Sequence, residues 1–461
     1  MRIVRGAEEA RRTLLRRRPL GETALPERIR AKNAALFGAD LPVGQQVRRI
    51  IDDVRRDGDA ALARYTKAFT GADYDSFEVG RDEIAAARGE VDPLLTDALR
   101  EAAEHIRTYH ELQRSHSSRS FSRDGVGMQV RALERVGMYV PTSPGAVYPS
   151  SVLMTAIPAK VAGVSELVMM SPAGPDGRVA PLKLVAAEIA GVDRIFRAGG
   201  AEGIAALAYG TETVPRVDKI VGPGNIFVTV AKREVFGSVG IDALYGPSET
   251  IVIADESADP TLAAADLLAQ AEHDELATPV LLTTSQEIAE AVGREVERQL
   301  PLLEREHIAR ASFDARGGAA VVASVEEAVA LASEYAPEHL CLLVRDAAAV
   351  AATVRNAGGI FVGDDAPESL GDYTAGPSHV MPTSGAARYA SPLGVHDFLK
   401  VTSVVAVDAA RLREAGPAAA RIARAEGFTA HARSIELRLE GGERHPDSQR
   451  EGAAGPPTAN I

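Results

Sequence analysis

The sequence predicts an α/β protein with two lobes, each built around a parallel sheet. Three observations carry this expectation. Short apolar runs such as 167–170, 280–283 and 340–344 alternate with stretches of helical periodicity, the pattern of βαβ units. The alternation comes in two sets, 164–235 and 280–363, joined by a helix. Glycine or ionisable residues stand at the junctions: Gly199-Gly200, Gly222-Pro223-Gly224, Glu338-His339 and the stretch 363–372. Open parallel sheets bind ligands beyond the carboxyl ends of their strands. Ligand sites are therefore expected at these junctions.

Composition narrows the class. A chain of 461 residues suggests two to four domains, at roughly 100–200 residues each. Apolar residues make up 46% and charged residues 25%, enough to fill cores. A net charge of −13 argues against nucleic acid or an anionic membrane as partner. Cys341 is the sole cysteine, which rules out an intrachain disulfide or a thiolate-rich metal site. Within the apolar run 340–344 it reads as a buried strand residue rather than a nucleophile. The first 27 residues are rich in arginine, lack an apolar signal core and contain Glu8 and Glu9. A solvated helical arm is expected there, and a cytoplasmic location. No run approaches the ~20 apolar residues of a membrane span.

The elements follow in order. Val47, Ile50, Ile51 and Val54 mark one face of a helix from Gln45, ended by Asp57-Gly58-Asp59 before a second helix over 60–69. Asp92-Pro93 opens a longer helix, with Asp92 as its cap. Asp124-Gly125 reads as a turn between strands. A strand over 136–140 leads into a Pro/Ser/Gly loop, 142–151. Strands at 167–170, 194–197 and 218–221 alternate with helices at 179–189, 201–209 and 225–235. Strands at 280–283, 320–322, 340–344 and 359–363 alternate with helices at 287–300, 324–335 and 347–356. From Gly441 the tail is polar and rich in Gly and Pro, the composition of disorder.

The stretch 218–273 holds three chemical signals. Gly222-Pro223-Gly224-Asn225 is either a phosphate cradle at a helix N-terminus or a plain turn. Asn225 suits a cofactor hydroxyl or a helix cap. Gln270 and His273 share one helix face, as a polar helix end or as half of a ligand set. With Asp372 and His431 they would make a set of N and O donors compatible with zinc. Glu338-His339 offers two bases of different strength, or a surface loop. Pro337 biases Ala336 toward extended geometry. His379, in a Pro/Ser/Thr loop, is open to either reading.

Taken together the chain resembles histidinol dehydrogenases. The motifs are GDAALARYTKAF, VGMYVP, YPSSVLM, AGGAEGIAALAYGTE, VDKIVGPGN, GPSE, LLAQAEHD, YAPEHL, ESLGDYTAGPSHVMPT, HDFLK and AEGFTAHARS. They span about 47–437 in order. The resemblance implies one Zn2+ per subunit on Gln270, His273, Asp372 and His431. It implies Glu338 and His339 as the acid–base pair. Substrate contacts would be Ser248, His339 and Glu426 alongside the metal ligands, and NAD contacts Tyr139, Glu202 and Asn225.

It further implies a homodimer with shared active sites and two incomplete Rossmann-like domains flanked by small helical ones. The expected division is an arm over 1–27, a first Rossmann-like domain over 28–138 and 254–393 carrying the metal and catalytic residues, and a second over 139–253 on the NAD side. A dimerisation domain over 394–440 and a disordered tail over 441–461 complete it. The implied reaction takes L-histidinol to L-histidine through bound L-histidinal with two NAD. Rival readings are a relative oxidising another small alcohol, such as a sulfonated diol, and a non-catalytic metal-binding relative. The chain departs from the pattern at Glu202, where glutamine is usual, in the loop 141–145, and at Ser333, where asparagine is usual.

Overall fold

A computed structural model describes residues 1–17, 27–74, 76–142, 145–174 and 176–444. Two units emerge, one of 1–117 with 132–399 and one of 118–131 with 400 onward.

The first unit contains two parallel sheets. The five-stranded sheet runs in the order Arg194–Phe196, Glu166–Met170, Arg135–Tyr139, Lys219–Val221, Gly240–Ile241. The six-stranded sheet runs Ile3–Arg5, Gly318–Val321, Thr278–Thr283, Glu249–Ala254, His339–Leu343, Gly359–Val362. Apart from the added edge strand Ile3–Arg5, both sheets follow the order 3-2-1-4-5 along the chain, so each reverses direction beside its first strand. The βαβ alternation was therefore a sound guide to architecture. Glu249–Ala254 and Thr278–Thr283 are buried throughout, as strands covered on both faces must be.

Three expectations change. The arm is not simply a solvated helix. Ile3–Arg5 pairs in parallel with Gly318–Val321, and the helix Ala7–Arg12 follows. Residues 18–26 lie outside the described residues. The boundaries at 138/139 and 253/254 would cut through the strands Arg135–Tyr139 and Glu249–Ala254. The early helices also cover the other sheet. Val47, Ile50, Ile51 and Val54 of Val43–Asp57 join a core with Tyr139, Phe196 and Ile204. Pro93–Ser115, capped by Asp92 through the Leu94 N–H at 2.9 Å, packs on Pro149–Ala162. The segment over 28–117 thus covers the sheet expected to carry NAD, because its apolar stripes match that sheet's faces.

The glycine turn after Lys219–Val221 is held by a buried ion pair. Lys232 Nζ donates to the Gly222 carbonyl at 2.9 Å and pairs with Asp242. Asp242 accepts from the Gly222 N–H at 2.7 Å and the Tyr245 hydroxyl at 2.9 Å. Gly222 has φ +105°, and a Cβ there would lie 2.4 Å from the Tyr139 carbonyl oxygen. A Cβ on Gly224 would meet Val228 at 2.4 Å. These glycines let the turn close against its own lobe.

In the second unit, Phe121–Arg123 and Val126–Ala132 form an antiparallel hairpin across Asp124 and Gly125, both at positive φ, as a type I′ turn requires. Leu399–Val405 adds a third strand. The helices Ala409–Ala425 and Thr429–Arg444 pack together. A Cβ on Gly416 would meet Ile435 at 3.2 Å and Leu439 at 3.3 Å, so the bare glycine lets the two helices close, and the last helix runs past Gly441, where disorder is expected from composition. The expected disorder of 445–461 falls outside the described residues. Among the described residues no helix is long and apolar enough to cross a membrane.

Gly222→Ala should cost at least about 1–3 kcal/mol, read as a shift in denaturant midpoint. Gly71→Ala is the control: its φ is +81° but nothing lies within 4 Å of the added Cβ. Equal losses in the two variants would mean that the Tyr139 backbone does not constrain the turn.

Candidate active site

The chemical residues of the first unit gather at the amino-terminal edge of the six-stranded sheet. Glu338 and His339 stand at the start of a strand, not beyond the end of one. His339 opens His339–Leu343, in register with Thr250 and Gly359. Ser248 immediately precedes Glu249–Ala254. The helix Pro260–Ala271, capped by Asp259, returns antiparallel to the strands and delivers Gln270 and His273 to the same edge. Glu368–Tyr373 carries Asp372 there.

Distances bring three of these residues together. His339 Nε2 lies 3.7 Å from Asp372 Oδ1, and Nδ1 lies 3.8 Å from Glu338 Oε2. The ring stacks on Phe361 with centroids 5.7 Å apart. Glu338 accepts from the Glu249 N–H at 3.2 Å. His379, left open by the sequence, is buttressed: its Nδ1 is 2.8 Å from the Asp372 carbonyl and its Nε2 is 3.2 Å from Ser151 Oγ.

The electrostatics follow from burial. Glu338 is buried, which pushes its carboxyl up to about 8. Burial works against charge on His339, but Glu338, Asp372 and Glu368 outweigh it and raise the ring to about 10. Burial would raise Asp372 as well; His339, His379 and His273 together hold it below the ordinary range. Asp372 thus feels His273, which itself remains exposed.

Gln270 is 1% exposed, and among the described residues neither polar atom of its amide has a partner. The same holds for both ring nitrogens of His339. An unsatisfied buried polar group costs about 1–3 kcal/mol, so these atoms suit contact with a ligand. An amide oxygen, an imidazole and a carboxylate fit zinc. Among the described residues no group of three or more His, Cys, Asp or Glu side chains is arranged for a metal. The expected set supplies only His273 and Asp372 of those types from this unit. Glu426 and His431 lie in the second unit, at the end of Ala409–Ala425 and in Thr429–Arg444, both exposed. The His431 ring sits 5.2 Å from that of Phe428.

The residues expected to contact NAD sit at the opposite kind of edge, the carboxyl ends of the five-stranded sheet. Tyr139 and the Gly222 turn end the two strands that flank its reversal point. The Tyr139 hydroxyl accepts from the Gly200 N–H at 3.3 Å. Asn225 is a helix cap: its Oδ1 accepts from Phe227 N at 3.0 Å and Val228 N at 3.2 Å. Glu202 is 2% exposed, lies against Gly200, and is pushed by burial up to about 8. A neutral carboxyl there has nearly the shape and polarity of the usual glutamine.

Sequence reasoning missed Lys183. Its Nζ donates to Pro141 O at 2.6 Å, Thr142 Oγ1 at 2.8 Å and Ser171 Oγ at 3.0 Å. Burial lowers it to about 8. It therefore holds the start of the atypical loop after Tyr139. The available signal was a lysine within the apolar pattern of Pro181–Ala190. The expected turn geometry before Glu338 also fails, since Ala336 is left-handed at φ +54° rather than extended.

A family model described as histidinol dehydrogenase matches residues 39–439. The chain belongs to the histidinol dehydrogenase family. It is 47% identical to a histidinol dehydrogenase of Dehalococcoides mccartyi (strain CBDB1) over 440 residues, covering 95% of this chain and all of that one. It is 52% identical to one from Moorella thermoacetica over 402 residues, 86% of this chain and 95% of the relative. The crystal structure of histidinol dehydrogenase from Elizabethkingia anophelis matches with a TM-score of 0.85 at 33% identity, covering 96% of this chain and 99% of that one. The family comprises NAD-linked oxidoreductases that catalyse the last step of histidine biosynthesis.

Glu202 generates a pH test. Its folded carboxyl is raised from an ordinary 4.5 to about 8. The stability tied to its neutral form is thus full below about 4.5 and is lost as pH rises toward 8. Glu202→Gln should match wild type near pH 5 and exceed it by roughly 2–4 kcal/mol near pH 8.5, measured by urea unfolding. A difference that does not change with pH would show that Glu202 is not buried as a neutral acid.

Proposed function

We propose that this chain oxidises L-histidinol to L-histidine through bound L-histidinal, with one zinc ion per subunit and two NAD. The observation that carries the reading is the buried Glu338-His339 pair beside Asp372 and the unpartnered amide of Gln270. Gln270, His273, Asp372 and His431 would hold the metal, and Ser248 and Glu426 would contact the substrate. When bound, the zinc would anchor the substrate's amine and imidazole and, as a dication, favour loss of the protons on Glu338 and His339. NAD would accept hydride at each oxidation, with Tyr139, Glu202 and Asn225 as its contacts.

The chain's own groups then divide the proton work. Neutral His339 accepts the alcohol proton as hydride leaves the carbon. Ionised Glu338 takes a proton from the water that attacks the aldehyde. Once it has released the first proton to solvent, His339 accepts the proton of the hydrate in the second oxidation. Keeping both bases on one buried edge lets the aldehyde stay bound between steps.

The active unit is read as a homodimer. Glu426 and His431 are exposed on a helical unit that also exposes Ile422, Phe428 and Leu437, an apolar surface suited to a second copy. Residues from that copy would complete each site. The assembly is placed in the cytoplasm.

Purified protein with zinc, NAD and L-histidinol should form about two NADH per histidine, as two hydride transfers require. A ratio of one, or no turnover at alkaline pH, would sink the reading. His339→Ala should reduce kcat by about 10²–10⁴-fold while metal analysis finds zinc unchanged. Loss of zinc in that variant would make His339 a ligand instead of a base.

A further inference from the structure

The position of Glu338 depends on the turn that leads into it. Ala336 is left-handed at φ +54° immediately before Pro337. For a residue with a Cβ this costs about 1–2 kcal/mol, so surrounding contacts must impose it. Those contacts come from Arg17, in the N-terminal segment. Its Nη2 lies 2.6 Å from the Tyr335 carbonyl and 3.1 Å from the Ala336 carbonyl, and its Nε lies 3.2 Å from the Tyr335 carbonyl. The guanidinium stacks on the Tyr335 ring at 3.8 Å from its centroid.

The same guanidinium grips the neighbouring strand. Nη2 lies 3.0 Å from Glu249 Oε2, and Nη1 pairs with Oε1. Glu249 is 6% exposed, so its carboxylate depends on that partner. The Glu249 N–H is the donor to Glu338 Oε2. One planar fork therefore fixes both the turn that leads into Glu338 and the strand whose amide orients its carboxylate. Lysine offers no such fork.

We propose that Arg17 is a positioning residue for the oxidation, clamping the Tyr335–Ala336 turn to Glu249 and thereby aiming the Glu338 carboxylate. The proposal rests on the functional reading above. A cavity of about 110 Å³ lined by Arg17, Glu249, Thr278 and Tyr335 adjoins the clamp, which gives a small guanidinium a way in.

The test uses the full zinc-loaded chain. Arg17→Ala should lower kcat for L-histidinol by about 10- to 100-fold, as misplacement of a reacting group does. KM for NAD should stay within about twofold, since uniform binding is untouched. Added methylguanidinium should restore part of the loss. In a Glu338→Gln background the same change should cost less than about twofold, because the group Arg17 acts through is already disabled. Amide exchange should quicken at residues 335–339 and at Glu249. Equal losses in both backgrounds would overturn the proposal, as would faster exchange confined to residues 1–17. If Arg17→Ala fails to fold, Arg17→Lys keeps the charge but not the fork, and the same pattern is expected of it. Should wild type leave histidinol unoxidised, the functional reading fails, while the exchange data still decide whether Arg17 sets the 335–339 turn.

Discussion

The chemistry depends on the register of one buried strand. Glu249–Ala254 is bonded in parallel to Thr278–Thr283 on one side and His339–Leu343 on the other. The pairing of His339 with Thr250 puts Glu338 beside Glu249, whose amide reaches its carboxylate. A slip of one residue would turn His339 to the opposite face of the sheet. Burial on both faces makes such a slip costly, since every inward side chain would have to repack. The sheet thus sets the register of His339 and the amide that meets Glu338, while the turn before the strand sets the approach to Glu338.

Two sheets of the same strand order use opposite edges. On the five-stranded sheet, Tyr139 and the Gly222 turn lie at carboxyl ends beside the reversal of strand order, the usual ligand crevice of an open α/β sheet. On the six-stranded sheet, Ser248, Glu338 and His339 lie at amino ends. The returning helix Pro260–Ala271 explains this: its C-terminus arrives where the strands begin, and Gln270 rides on it. Segments that follow the six-stranded sheet bond to the other lobe, as where Ser378 donates to the Met154 carbonyl at 3.0 Å and Lys219 to the Asp397 carbonyl at 2.7 Å.

Much of this was legible from residues. Strands such as Glu166–Met170 and His339–Leu343 stood out because burial on both faces leaves unbroken apolar runs. Pro149–Ala162 did not stand out. It is buried nearly all round, so it lacks a polar face, and Pro158 interrupts it. The strand Glu249–Ala254 was overlooked beside the motif that precedes it. Nor does a helix's own sequence say which sheet it will cover, so the packing of helices from 43–115 on the five-stranded sheet's lobe is not legible from their residues. At the site, Glu338, His339, Gln270, His273 and Asp372 could be named in advance, but their shared edge could not. Arg17 and Lys183 act through long reaches to backbone oxygens, and such contacts leave no local pattern.

The pairing of Ile3–Arg5 with Gly318–Val321 has a consequence for synthesis on the ribosome. Ile3–Arg5 must wait for partners made more than three hundred residues later. All five strands of the other sheet lie between Arg135 and Ile241, so that sheet can close while the rest of the chain is still being made. Non-local pairing of this kind is slow and leaves apolar edges open in the interval. The nascent chain would therefore have all strands of the five-stranded sheet before those of the other, and Ile3–Arg5 could join the sheet that holds His339 only once Gly318–Val321 is made.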